Sequence, residues 1–187
     1  MRAAVLLPIK SFEVAKGRLA GALDLDQRAE LARRMASGVI AACHDLPTWV
    51  ICDDPEVASL AISCRANVLW RPARGLNVAV HEGVEFLAGE GYERVVVSHA
   101  DLPLARDLTW VADAGPGVTI VPDRRDDGTN VMAVPTDAGF RFAYGVGSSA
   151  LHRAEAERLG LEWRLIPDAE LGWDVDVPED LTALDGG

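Results

Sequence analysis

The chain contains only two lysines, Lys10 and Lys16, and both fall in one short stretch that also holds Arg18. That stretch reads Pro8-Ile9-Lys10-Ser11-Phe12-Glu13-Val14-Ala15-Lys16-Gly17-Arg18-Leu19 and follows the apolar run Ala3–Pro8. Three cations just beyond a strand end can cradle a triphosphate, each lysine as a point charge and the arginine as a two-pronged donor. The plain alternative is a solvated basic loop. A Walker loop is excluded, because the Gly-x-x-x-x-Gly-Lys-Ser/Thr pattern is missing.

Two carboxylate groups lie far apart in the sequence. His99-Ala100-Asp101-Leu102-Pro103 follows the Val-rich run Arg94–Ser98, so Asp101 sits just past a strand end, where it could hold a metal or simply cap the next turn. Trp173-Asp174-Val175-Asp176-Val177-Pro178-Glu179-Asp180 lies in an acidic run, residues 168–185, with seven acids and no base. Such a run often makes a solvated tail. Here Trp173, Val175 and Val177 alternate with Asp174 and Asp176, which predicts a strand, and Pro178 then opens a helix. Asp176 would stand at that junction. Magnesium is commonly held by one or two carboxylates plus substrate phosphates, so Asp101 and Asp176 would suffice if the fold joins them.

Two further clusters are polar. Asp123-Arg124-Arg125-Asp126-Asp127-Gly128-Thr129-Asn130 has the chemistry of a turn. Gly145-Val146-Gly147-Ser148-Ser149-Ala150 formally matches the dinucleotide fingerprint but comes late and outside a β-α-β unit. Glycines before Ser148 at a helix start could expose N–H groups to an anion, or Ser148 could merely cap the helix. Cys43, Cys52 and Cys64 form no Cys-x-x-Cys pair, and no Gly-x-Ser-x-Gly elbow exists, so redox, zinc and serine-hydrolase chemistry lack support.

The elements that must position these residues alternate. Strands are predicted at Ala3–Pro8, Thr48–Cys52, Val68–Trp70, Arg94–Ser98 and Val118–Pro122. Helices are predicted from an Asp26 cap through Cys43, at Pro55–Arg65, Asn77–Ala88 and Ala105–Asp113. This β-α alternation predicts an α/β fold with a mainly parallel sheet. Beyond it, Asn130–Val134 and Phe140–Tyr144 read as a β-hairpin insertion, Ser148–Leu159 as a helix closed by Gly160, Glu162–Ile166 as a strand and Pro178–Leu184 as a helix. Ligands in such sheets sit outside the carboxyl ends of the strands, where the polar clusters fall.

Length and charge bound the function. One domain, residues 1–187, suits the length. A formal net charge of −11 argues against nucleic acid and anionic membranes as partners. Residues 1–34 are the exception, with seven bases and four acids. No apolar run approaches a membrane span and no signal segment is evident, so the cytoplasm is expected. The sequence fixes no oligomeric state.

Taken in order, Pro8-x-Lys10 with Ala15-Lys16-x-Arg18-Leu19, Gly75-Leu76-Asn77-x-Ala79, Asp101-Leu102-Pro103, Asp123-Arg124 with Gly128-Thr129-Asn130, Gly145-x-Gly147-Ser148 with His152, and Asp174-x-Asp176-x-Pro178-Glu179-Asp180-Leu181 form a pattern. It resembles the guanylyltransferases of coenzyme F-420 biosynthesis, which move GMP from GTP onto a small phosphorylated acid. The resemblance runs from about residue 5 to residue 181. It implies a nucleotide-diphospho-sugar transferase-like α/β/α sandwich and a Mg²⁺-dependent reaction that releases pyrophosphate. It further implies that Lys10, Lys16 and Arg18 grip the GTP phosphates and that Gly75 and Asn77 approach the guanine. Asp101 and Asp176 would hold Mg²⁺, and with Lys10 and Arg18 they form the expected catalytic set. Thr129, Gly145 and Ser148 would receive the acid. Phosphoenolpyruvate is the preferred acid, with 2-phospho-L-lactate next and 3-phospho-D-glycerate behind. A downstream transferase that takes the labile product is implied as a partner. Two positions depart from the pattern: Ser149 stands where an aromatic residue is expected, and His99-Ala100 before Asp101 is less typical. The rivals are a molybdenum-cofactor-type nucleotidyltransferase, which would carry a Gly-Gly-rich first loop, and a non-catalytic anion-binding domain.

Overall fold

The computed structural model describes residues 1–72 and 75–184. Short runs rich in apolar and β-branched residues form the strands, the inner ones buried on both faces, as a sheet covered by helices requires, and the edge strands β3 and β7 partly exposed. These are β1 (Ala3–Pro8), β2 (Thr48–Cys52), β3 (Asn67–Trp70), β4 (Arg94–Ser98), β5 (Val118–Pro122), β6 (Thr129–Pro135) and β7 (Trp163–Leu165). The helices are α1 (Leu25–Ala41), α2 (Pro55–Ser63), α3 (Leu76–Gly89), α4 (Thr109–Asp113) and α5 (Ser148–Arg158), and a 3-10 turn covers Pro178–Leu184.

One seven-stranded sheet runs β3-β2-β1-β4-β6-β5-β7. β1 pairs in parallel with both β2 and β4, and β2 with β3. β6 runs antiparallel to β4 and β5, and β7 is parallel to β5. Alternation along β1 sends Val5 and Leu7 to one face, where α1, α2 and α4 bury Ala36, Val57 and Val111. It sends Ala4 and Leu6 to the other, where α3 and α5 bury Val84 and Ala156. The result is the expected α/β/α sandwich. No helix among the described residues is long and apolar enough to cross a membrane.

Strand order reverses at β1, which has β2 on one side and β4 on the other. The loops leaving β1 and β4 therefore flank the crevice where open α/β sheets bind ligands. The reversed β6 adds a third element there. Val131, near its start, pairs with Ser98 at the end of β4, so Thr129 enters the crevice from the opposite chain direction.

Several expectations need correction. Phe140–Tyr144 is not a strand, and the hairpin joins β5 to β6 instead. Side chains take the N–H groups that a strand would need: Glu155 accepts from Arg141, His152 from Ala143 and Asn77 from Tyr144. Trp173–Val177 is likewise no strand, because Val175 donates to the Asp101 carbonyl and Asp176 and Val177 donate to the Asp180 carboxylate. α1 starts earlier than Asp26 suggested. Asp24 is its cap, accepting from Gln27 N–H while the Gln27 side chain accepts from Asp24 N–H. α4 is shorter than predicted, since its first turn begins only at Thr109.

Candidate active site

Buried Phe12 and Leu19 anchor the loop after β1, leaving its cations at the crevice. Lys16 adopts a left-handed backbone, φ 56° and ψ 37°, which costs a non-glycine residue about 1 kcal/mol and suits a functional position. Its ammonium lies between two carboxylates. Lys16 Nζ donates to Asp101 Oδ2 and sits 3.4 Å from Asp176 Oδ1. Arg18, largely exposed, reaches the other oxygen of Asp176 at 3.4 Å. The fold thus brings Lys16, Arg18, Asp101 and Asp176 together.

Burial would raise Asp101, but the Lys16 ammonium and the nearby His99 outweigh it and hold the carboxyl below its usual range. Its Oδ1 is buried without a hydrogen-bond partner. Asp174 is the contrasting neighbour. Burial, with the Asp101 and Asp176 charges added, pushes it above the usual carboxylate range, and its Oδ1 is also unpartnered. Two unsatisfied buried carboxylate oxygens beside a single ammonium fit a hard divalent cation. Among the described residues no group of three His, Cys, Asp or Glu side chains could hold a metal ion.

A cavity of about 260 Å³ opens beside this pair, lined by Lys10, Lys16, Leu76, His99 and Asp101 among others. A smaller cleft of about 40 Å³ adjoins it, with Lys10, Leu76 and Gly75 on its walls. Lys10 thus stands between the two spaces. Asn77 does not face them freely: it bonds the backbone of Tyr144 twice, accepting from the N–H at 2.7 Å and donating to the carbonyl at 3.3 Å.

The loop before α5 lies beside the larger cavity, where the Tyr144 ring is 5.4 Å from the ring of His99. Gly145 and Gly147 have φ of 129° and 72°, conformations that favour glycine. The N-terminus of α5 is partly occupied, since Asp127 Oδ2 accepts from Gly147 N–H at 3.1 Å and the Asp127 carbonyl accepts from Ser149 N–H. Ser148 is buried, and its N–H donates to the Gly145 carbonyl. Thr129 is buried beside His152, whose Nε2 accepts from Ala143 N–H at 3.0 Å. His152 Nδ1 therefore carries the proton and donates to Thr129 Oγ1, also at 3.0 Å. Burial, helped slightly by His99, pushes His152 down to about 4, so it is neutral at pH 7.

Comparison with known proteins adds the family. A family model described as "Guanylyl transferase CofC like" matches residues 3–185. A phosphoenolpyruvate guanylyltransferase of Chloroflexus aggregans is 34% identical over 95% of this chain and 94% of its own length. One from Conexibacter woesei is 36% identical over 96% of this chain and 85% of its own.

The chain belongs to the CofC-like guanylyltransferase family.

It is accordingly a nucleotidyltransferase, and solved structures agree on its fold. A proposed nucleotide-diphospho-sugar transferase from Desulfovibrio desulfuricans G20 superposes with a TM-score of 0.80 at 18% identity, over 98% of this chain and 86% of that one. A CMP:2-keto-3-deoxy-manno-octonic acid synthetase complexed with CTP gives 0.62 at 14% identity, over 98% and 97%. Three residues beside this site had no role in the sequence reading. Asp174 and Asp180 stood in the pattern of the acidic run without one, and Asp127 stood only in a turn sequence. For Asp174 the alternation with Trp173 and Val175 was the available signal.

Proposed function

We propose that this enzyme transfers GMP from GTP to phosphoenolpyruvate in a Mg²⁺-assisted reaction that releases pyrophosphate, as a step of coenzyme F-420 biosynthesis. The convergence of Lys16, Asp101 and Asp176 at the mouth of the β1–β4 crevice carries the reading. The names of the relatives supply the acceptor. An acceptor phosphate oxygen attacks the α-phosphorus, the bond from that phosphorus to the β-phosphate bridging oxygen breaks, and pyrophosphate leaves. A phosphate monoester is mostly dianionic near pH 7, so no residue need remove a proton.

Asp101 and Asp176 would hold the ion, which would neutralise charge on the transferred and leaving phosphates. Lys10, Lys16 and Arg18 bind the triphosphate, with the Lys16 ammonium moving from the carboxylates onto phosphate oxygens. Gly75 lies at the cleft suited to the guanine edge, while Asn77 orients the 144–145 backbone from behind. Thr129, Gly145 and Ser148 would receive the acid. His152 keeps Thr129 in one orientation.

Purified protein with GTP, Mg²⁺ and each acid in turn tests this. Pyrophosphate release that depends on phosphoenolpyruvate is expected. Release with only 2-phospho-L-lactate or 3-phospho-D-glycerate would move the acceptor assignment. Tight GTP binding without release on any acid would favour a non-catalytic anion-binding domain.

A further inference from the structure

Asp176 is half-exposed and lies in a segment without helix or strand, yet it must keep its carboxylate aimed at Asp101. Its own side-chain contacts are loose, at 3.4 Å to Lys16 and 3.4 Å to Arg18. The rigidity comes from Asp180, whose side chain is fully buried. Asp180 Oδ2 accepts from Asp176 N–H at 2.7 Å and from Val177 N–H at 2.9 Å. Its Oδ1 accepts from Arg124 Nη2 and from Arg125 Nη2, the latter at 3.1 Å.

Arg124 is itself fixed. Its Nη1 donates to the Asp174 carbonyl at 3.1 Å, and its guanidinium lies 4.2 Å from the centre of the Trp173 ring. Trp173 Nε1 in turn donates to the Asp180 carbonyl at 3.2 Å. A buried carboxylate with both oxygens occupied by charge-assisted or backbone donors is a strong, directional clamp. It closes on the two N–H groups that set the direction of Asp176. Groups that orient metal-binding carboxylates typically govern ion affinity by 10–100-fold without touching the ion.

We infer that the Arg124–Asp180 pair is a positioning device for the Asp176 carboxylate, so that the affinity of the site for divalent cations is set by residues that never contact the cation. The inference rests on the metal reading proposed above. Binding of Mn²⁺ to the nucleotide-free protein, followed by loss of the free-ion EPR signal, tests it without turnover. Asp180→Asn and Arg124→Met are expected to weaken Mn²⁺ binding by about 10–100-fold. The Mg²⁺ concentration for half-maximal pyrophosphate release should rise with it, while KM for the acid stays put. Arg124→Lys, which keeps a charge on Asp180, should recover most of the affinity. A merely structural pair would lower the melting temperature of folded variants and leave Mn²⁺ affinity within twofold of the parent, and that result overturns the inference. If Asp180→Asn fails to fold, the two Arg124 variants carry the same comparison. If wild-type protein binds Mn²⁺ only with a non-hydrolysable GTP analogue present, the variants are compared in that complex, and wild-type protein that binds no Mn²⁺ in either state would sink the metal reading and this inference together. Weakened Mn²⁺ binding with no acid-dependent pyrophosphate release would leave the positioning role standing and remove only the acceptor assignment.

Discussion

One region of the candidate site is a wall of charges, and the region beside it is a wall of neutral, interlocked groups. Lys16, Arg18, Asp101, Asp174 and Asp176 bring two cations against three carboxylates, two of whose oxygens lack partners. Beside them, Thr129 and His152 are buried, uncharged and bonded to each other, and Asn77 and Asp127 secure the backbone around Gly145 and Gly147. The first wall is under electrostatic tension that an arriving ion and phosphates can relieve. The second is already satisfied and serves as a fixed surface. On the proposed reading, charge serves the bonds made and broken at phosphorus, and shape serves the choice of acid.

The largest test of that division is Asp101→Ala. An ion-holding carboxylate contributes several kcal/mol to the transition state, so acid-dependent pyrophosphate release should fall by about 10³-fold. Activity within tenfold of the parent would remove the metal role from the charged wall. Lys16→Met should cut kcat/KM for GTP by about 10²-fold, since a charge-assisted phosphate contact is worth roughly 1.5–3 kcal/mol. The same variant should bind Mn²⁺ more tightly when no nucleotide is present, because the ammonium no longer competes for Asp101 and Asp176. Weaker Mn²⁺ binding in Lys16→Met would break the placeholder role.

The neutral wall should respond to pH instead. His152 has its pKa lowered from 6.5 to about 4, so between those values the unfolded chain binds the extra proton. Stability from this residue is complete above about pH 6.5 and is lost as the pH falls towards 4. The loss is at most about 3 kcal/mol. Denaturant midpoints measured across pH 4–7 should slope upward, and His152→Gln should flatten the slope. An equal slope in the variant would assign it to other groups. The smallest effect is expected at Asn77→Ala, where two hydrogen bonds to Tyr144 are lost. Unfolding free energy should drop by about 1–2 kcal/mol, and KM for the acid should rise more than KM for GTP. The reverse order of KM changes would place Asn77 at the nucleotide after all.

The charged wall was readable in the sequence because its residues are chemically conspicuous. Two lysines in one loop and aspartates after strand-like runs stand out without knowledge of the fold. The parallel half of the sheet was equally legible, since Val95, Val96 and Val97 of β4 have no other place to go. The neutral wall was not. Phe140–Tyr144 has the composition of a strand, and only tertiary partners decide that Glu155, His152 and Asn77 take its N–H groups. Asp180 and Asp127 were hidden for the same reason: each acts through backbone N–H groups, which leave no trace in residue type. His152 showed in the motif, but its tautomer depends on a contact to Ala143 that no spacing predicts.

The contact between Lys16 and Asp176 spans 160 positions of the chain. During synthesis at roughly 5–20 residues per second, the basic loop is made about 8–30 s before the carboxylate that completes its pair. Over that interval Lys16 has only Asp101 as its carboxylate partner, and Arg18 has none of its site contacts. On the metal reading, competence to bind the ion waits for Asp176, so a chain stalled just before it would hold all seven strands and only part of the ion site.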